Sequence, residues 1–130
     1  MKHAPIIAGA LLGLAFVTFG LNFFFNFFPP PADPSPPDAP HKLFMGALGP
    51  TGYLAFVKVL EILGGVLVAV PRTRNLGLLA LGPILVNIIC FHLFLLNGNG
   101  LFSPALIGLS ALAVYLLWVE RRAWAGLLKR

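Results

Sequence analysis

Apolar residues run along this chain in four long stretches, each broken sharply from the next. They cover about residues 5–28, 51–70, 76–96 and 101–119. A membrane-crossing helix needs about 20 mostly apolar residues at 1.5 Å rise per residue. Each stretch meets that length, so the pattern predicts four spans. The breaks between them are the proline-rich run 29–42, the turn Pro71-Arg72-Thr73-Arg74-Asn75 and the tetrad Asn97-Gly98-Asn99-Gly100. Proline lacks the backbone N–H that a helix interior needs, and glycine tolerates positive φ. No period-two alternation indicates a β-barrel strand, and no internal repeat is visible. The expectation is a single all-α domain, an integral membrane four-helix bundle.

Composition narrows the class. Of 130 residues, 58% are hydrophobic and 10% charged. Soluble domains carry about 25% charged residues. One cysteine excludes an intramolecular disulfide framework. The net charge of +5 is explained by placement. Lys2, Arg72, Arg74, Arg121, Arg122, Lys129 and Arg130 all fall on one side once four spans are drawn, whereas Lys42, Asp33 and Asp38 fall on the other. Lysine and arginine collect on the cytoplasmic side, so both termini and the 71–75 turn are expected there. Scattered over short segments, these cations favour contact with anionic lipid and argue against nucleic acid. Trp118 and Trp124 fall near the same boundary, where amphipathic rings prefer to sit. The first stretch is too long for a signal-peptide h-region and has no small-x-small site directly after it, so an uncleaved anchor is expected.

Seven of the twelve residues at positions 29–40 are proline, which predicts an extended polyproline II linker on the outer side. Residues 43–48 are too short to span and are expected to form a turn or two of helix at the outer interface.

The ionisable and amide residues inside the spans carry the candidate chemistry. A charged side chain at mid-bilayer costs about 2.5–3.5 kcal/mol, so it needs a partner or a role. Counting from the outer ends, Asn22, Asn26, Lys58, Glu61, Asn87 and His92 all fall in the outer half of the bilayer. This predicts one shared polar cluster, with Asn22, Lys58, Glu61, Asn87 and His92 as the candidate ligand or proton site. Lys58 precedes Glu61 by three residues, the less favourable order for an in-helix pair. Glu61 is therefore expected to find a partner on another helix, with Lys58 snorkelling outward. Asn87 and His92 lie about 140° apart on an ideal helix, and Pro83 is expected to kink the third span. No second histidine or cysteine stands at ligand spacing from His92, so no metal site is expected. Cys90 reads as a packing residue. The cluster is consistent with interhelical tethering, worth about 0.6 kcal/mol per bond, and equally with a binding site.

Residues 44–95, FMGALGPTGYLAFVKVLEILGGVLVAVPRTRNLGLLALGPILVNIICFHLFL, resemble the DoxX-like family of small four-span membrane proteins. The resemblance rests on Gly52-Tyr53, Lys58-x-x-Glu61-x-x-Gly64-Gly65, Gly82-Pro83, Val86-Asn87-Ile88 and Phe91-His92. It implies a four-helix bundle in a bacterial-type inner membrane, with Lys58, Glu61, Asn87 and His92 as family-like polar residues. Some family members are linked to quinone-coupled thiosulfate oxidation or to membrane oxidoreductase complexes. Two functions follow as expectations. One is a non-enzymatic subunit supporting a redox or cell-envelope complex, with other oxidoreductase subunits or further copies of itself as partners. The other is a component that binds a quinone or small amphiphile, or relays protons, through the polar cluster. No resident cofactor is expected from sequence motifs. A channel or transporter is less well supported, because no broken helix pair or inverted repeat is visible.

Overall fold

The structure, a computed structural model, describes residues 3–28 and 32–127. Lys2, Lys129 and Arg130, counted above for orientation, lie outside the described residues, as do Pro29, Pro30 and Pro31 of the proline-rich run.

Among the described residues every regular element is helical: α1 (His3–Phe25), α2 (Pro40–Leu48), α3 (Tyr53–Ala69), α4 (Arg74–Cys90), α5 (Pro104–Val119) and α6 (Arg121–Leu127). A 3-10 turn (Pro71–Thr73) leads into α4 and a π-helical turn (Phe91–Leu95) extends it. Helix α1 and the continuous stretch Pro71–Leu95 are each long and apolar enough to cross a membrane. Helices α2 and α3 meet at 83° and α5 and α6 at 69°, and if each bent pair forms one span the total reaches four. Large apolar side chains such as Leu11 and Leu14 on α1, Phe56 and Leu63 on α3, Leu79 and Val86 on α4 and Val114 on α5 are exposed. A soluble monomer rarely exposes apolar surface so extensively, and the chain is a membrane-associated helical protein.

The interior is shared by four helices. Leu12 and Phe16 of α1, Val68 of α3, Leu78, Leu81 and Leu85 of α4, and Leu106, Ala113 and Leu116 of α5 form one buried apolar cluster. Helix α1 touches α3 and α5, and α4 touches the same two. The α1–α3 contact is the closest. A Cβ placed on Gly65 would lie 2.8 Å from the Gly13 carbonyl oxygen, and one on Gly9 2.8 Å from that of Val68. In an apolar solvent, small residues let helices approach and gain van der Waals contact. Gly9 and Gly13 thus bring α1 against α3 within the chain. Gly82 and Gly108 face open space, with nothing within 4 Å of an added Cβ.

Each terminus of a long helix has a local cause. Helix α1 stops at Phe25 because Asn26 takes a left-handed conformation (φ 52°), which asparagine tolerates better than most residues. Helix α3 starts after Gly52 (φ 83°), and α5 starts with Pro104 behind Ser103, whose Oγ accepts the Leu106 N–H at 3.4 Å. Helix α4 is continuous through Pro83. A π-helical irregularity falls eight residues later, where the Leu96 N–H donates to the Phe91 carbonyl at 3.2 Å.

The proline-rich run departs from a straight rod over residues 32–39. The chain turns at Pro37 and Asp38 and folds back on α2: the Ala39 N–H donates to the Pro36 carbonyl, and His41 Nε2 lies 2.8 Å from Asp33 Oδ2. Lys42 Nζ donates to the carbonyl oxygens of Asp33 and Ser35. Proline-rich sequence prefers extension, but these polar contacts with the first turn of α2 override that preference. Hydrogen bonds from Ser35, the contact with His41 and the nearby Lys42 charge hold the Asp33 carboxyl well below its ordinary value. Because its folded value is depressed, the attachment is complete above the ordinary carboxylate range, near pH 4, and is lost as pH falls further. Amide exchange at residues 32–42 (after correction for intrinsic rates) should therefore accelerate as pH falls below about 4.

Candidate functional site

Glu61 is the most deeply buried acidic group, 3% exposed. Its Oε2 lies 3.2 Å from Lys58 Nζ, one turn earlier on the same helix, and the Lys58 side chain is 23% exposed. The expected partner on another helix is not what the structure shows, and Lys58 turns to Glu61 in place of snorkelling. The reason lies in what the other helices offer. Asn22 Oδ1 accepts the Phe28 N–H at 2.8 Å, so this amide closes the end of its own helix. His92 Nδ1 lies 2.9 Å from the Ile88 carbonyl oxygen. Asn22 is turned to its own helix end through Oδ1 and His92 Nδ1 to the Ile88 carbonyl, and the contact Glu61 makes is the i,i+3 one with Lys58, despite its less favourable order.

The ion pair nevertheless faces other helices. Lys58 and Glu61 line a cavity of about 330 Å³ together with Phe19 of α1, Met45 of α2, Ile88, Phe91 and His92 of α4 and its π turn, and Ser103, Ala105, Leu106 and Leu109 at the start of α5. On the other side they line a smaller cavity of about 90 Å³ with Phe44, Leu48, Ile84 and Asn87. Lys58 and Glu61 thus stand between His92 and Asn87. A straight helix would separate those two by about 140°. Asn87 also opens onto an exterior groove of about 540 Å³ with Tyr53, Pro83 and Cys90; this groove presents no charged group. The 330 Å³ cavity gathers a Lys, a Glu, a His and a Ser over apolar walls, the form expected of a small-molecule site.

The π turn belongs to this geometry. Single π turns widen a helix locally and recur at functional sites. Here the turn carries His92, stacked edge-on against Phe91 at 5.6 Å between ring centres, and Phe91 meets Phe44 of α2 at 5.8 Å. Helix α2 thereby covers one side of the cavity. A carbonyl oxygen only accepts, so His92 Nδ1 carries the hydrogen in that bond. In the neutral ring Nε2 is then an acceptor.

Of the five residues singled out from sequence, Lys58, Glu61 and His92 line one cavity, Asn87 lies behind the ion pair, and Asn22 caps α1. Ser103 and Ala105 were not anticipated as site residues; the only signal for Ser103 was its position before Pro104 at a helix start. Among the described residues, no group of three or more His, Cys, Asp or Glu gathers to hold a metal ion.

A second polar cluster was missed. Arg74, 7% exposed, donates from Nη1 to Glu120 Oε1 at 3.1 Å, and Asn75 Nδ2 donates to Glu120 Oε2 at 3.4 Å. The signal was present: Glu120 is an isolated acid in the basic half of the charge pattern. A Cβ on Gly9 would lie 3.7 Å from Arg74 Nε. The first half of α1, the 71–75 turn and the end of α5 therefore meet at one end of the molecule, away from Lys58 and Glu61.

No family model matches the chain, and no solved structure matches it. It is similar to an uncharacterized protein, YwoB, of Bacillus subtilis (strain 168), with 33% identity over 78 residues, which is 60% of this chain and 49% of the relative. The chain spans about half the length of that curated relative.

Proposed function

We propose that this chain is a DoxX-like four-helix membrane protein that admits a small amphiphile, a hydrophobic molecule with a polar head, into the cavity between α1, α2, α4 and α5. The observation that carries this reading is the convergence of Lys58, Glu61, His92 and Ser103 on one apolar-walled cavity of about 330 Å³. Its volume lies within the usual range for ligand sites. The protein sits in a bacterial-type inner membrane with both termini and the 71–75 turn on the cytoplasmic side. The meeting of Arg74 with Glu120 supports this orientation, together with the cytoplasmic preference of Lys and Arg. The cavity then opens towards the outer leaflet.

Replacing Ala105, an exposed residue on the cavity rim, with tryptophan fills the space without touching the buried core. Native mass spectrometry of protein purified from its own membranes should show a hydrophobic small-molecule adduct on the wild type and at least a tenfold smaller fraction on Ala105→Trp, at equal melting temperature. Equal adduct on both, or none on the wild type, contradicts the reading.

A second reading, a non-enzymatic subunit of a redox or cell-envelope complex, is favoured by the mutual satisfaction of Lys58 and Glu61. On that reading a Glu61→Gln, His92→Gln pair lowers assembly and leaves small-molecule retention unchanged.

A further inference from the structure

The polar atoms around the cavity differ in what they still have to give. Lys58 and Glu61 face each other at 3.2 Å, and the carboxylate is almost wholly buried. Together they present no net charge. A carboxylate or phosphate brought beside Lys58 would also meet Glu61, and an ammonium brought beside Glu61 would meet Lys58. Either charged head would lose its water and find its counter-ion already taken, an unfavourable exchange in a site walled by Phe19, Phe91 and Leu109.

The remaining two groups are neutral and complementary. His92 Nδ1 is held by the Ile88 carbonyl at 2.9 Å, which fixes the tautomer and leaves Nε2 with a lone pair to fill. Ser103 Oγ accepts from the Leu106 N–H, which leaves its hydroxyl proton free to donate. A head that matches both must bring a proton for His92 and an oxygen for Ser103 or the Lys58 ammonium. A hydroxyl does both with one atom; an ether or carbonyl supplies only the oxygen.

Resting on the reading that the cavity takes an amphiphile, we propose that its ligand has an uncharged head bearing an O–H, an alcohol, phenol or quinol, which donates to His92 Nε2. The site discriminates against the same body with its hydroxyl capped or replaced by a charge. Sites built to pair with a substrate hydroxyl reject analogues lacking it, because their own polar groups are left unpaired.

Four probes sharing one nonyl-phenyl body test this on the full chain in detergent at pH 8: 4-nonylphenol, 4-nonylanisole, 4-nonylbenzoate and 4-nonylbenzylamine. Titration by intrinsic fluorescence or calorimetry should show the phenol binding at least tenfold more tightly than each of the others. In His92→Phe the phenol should fall to the level of the anisole. In Glu61→Gln, where Lys58 loses its partner, the benzoate should gain at least tenfold. The wild-type series decides the matter even if a variant fails to fold. Anisole binding within threefold of phenol, or tighter binding of either charged probe, overturns the hydroxyl assignment and leaves the amphiphile cavity standing. Failure of all four to bind overturns both.

Discussion

Glu120→Ala should destabilise the protein by about 3 kcal/mol or more, read as a shift in its unfolding transition in mixed detergent. Removing one partner of a buried ion pair leaves the other charge without compensation, which costs about 3–5 kcal/mol in measured cases. Arg74 is the stranded partner here. Its side chain is 8% exposed against 25% for Glu120, so the arginine has the less water to fall back on. Asn75 loses its acceptor in the same step. The pair ties the start of α4 to the end of α5, and the Gly9 region of α1 packs beside it. The loss should therefore loosen three helices at one end. A paired replacement, Arg74→Met with Glu120→Leu, should recover most of the loss, because well-packed apolar residues often match or exceed a buried pair. Unchanged stability in Glu120→Ala would show that Arg74 reaches water or lipid headgroups.

Gly65→Val should be comparably damaging, through packing. An added Cβ at Gly65 sits 2.8 Å from the Gly13 carbonyl oxygen and 2.9 Å from Val17 Cγ2. The obstruction at Gly13 is backbone, which no rotamer change relieves, so α1 must move away from α3. That movement opens the packing of Leu12, Phe16 and Val68, all essentially inaccessible. Overpacking of this kind costs about 1–3 kcal/mol and sometimes more, and a separation of two helices lies at the upper end. Gly82→Ala and Gly108→Ala provide the contrast. Both glycines lie inside helices with nothing within 4 Å of an added Cβ. Alanine should therefore leave stability unchanged or raise it by up to about 1 kcal/mol through helix propensity. The comparison is read by the same detergent titration; equal effects at all three positions would contradict the α1–α3 contact.

The long helices were legible because their cause is local. The apolar runs 5–28, 51–70, 76–96 and 101–119, broken by the proline-rich run, the 71–75 turn and the Asn97–Gly100 tetrad, end within a few residues of the helix ends. The candidate site was half legible, since a lysine, a glutamate and a histidine inside apolar segments stand out by desolvation cost alone. Their pairing was not legible. Glu61 pairs within its own helix while Asn22 Oδ1 and His92 Nδ1 meet backbone groups of their own segments, and such local contacts depend on helix ends that one sequence does not resolve. The π turn at Phe91–Leu95 carries no composition signal, yet it places His92 on the cavity. Arg74 was counted for its charge and its side of the membrane; its burial against Glu120, 46 residues away, is a long-range contact invisible to periodicity. The fold-back of residues 32–39 onto His41 and Lys42 was hidden by the prolines around Asp33.

Occupancy of the cavity can be read directly by photolabelling. A long-chain alcohol carrying a diazirine in its tail, activated on the protein in native-like bilayers and followed by peptide mapping, should place its adducts on Phe19, on residues 88–92 and on residues 103–109. Ala105→Trp should abolish that pattern. Adducts spread evenly over the exposed faces of α1, α3 and α4, and unchanged in Ala105→Trp, would show that the molecule dissolves in the surrounding lipid and that Lys58, Glu61 and His92 surround an empty seam.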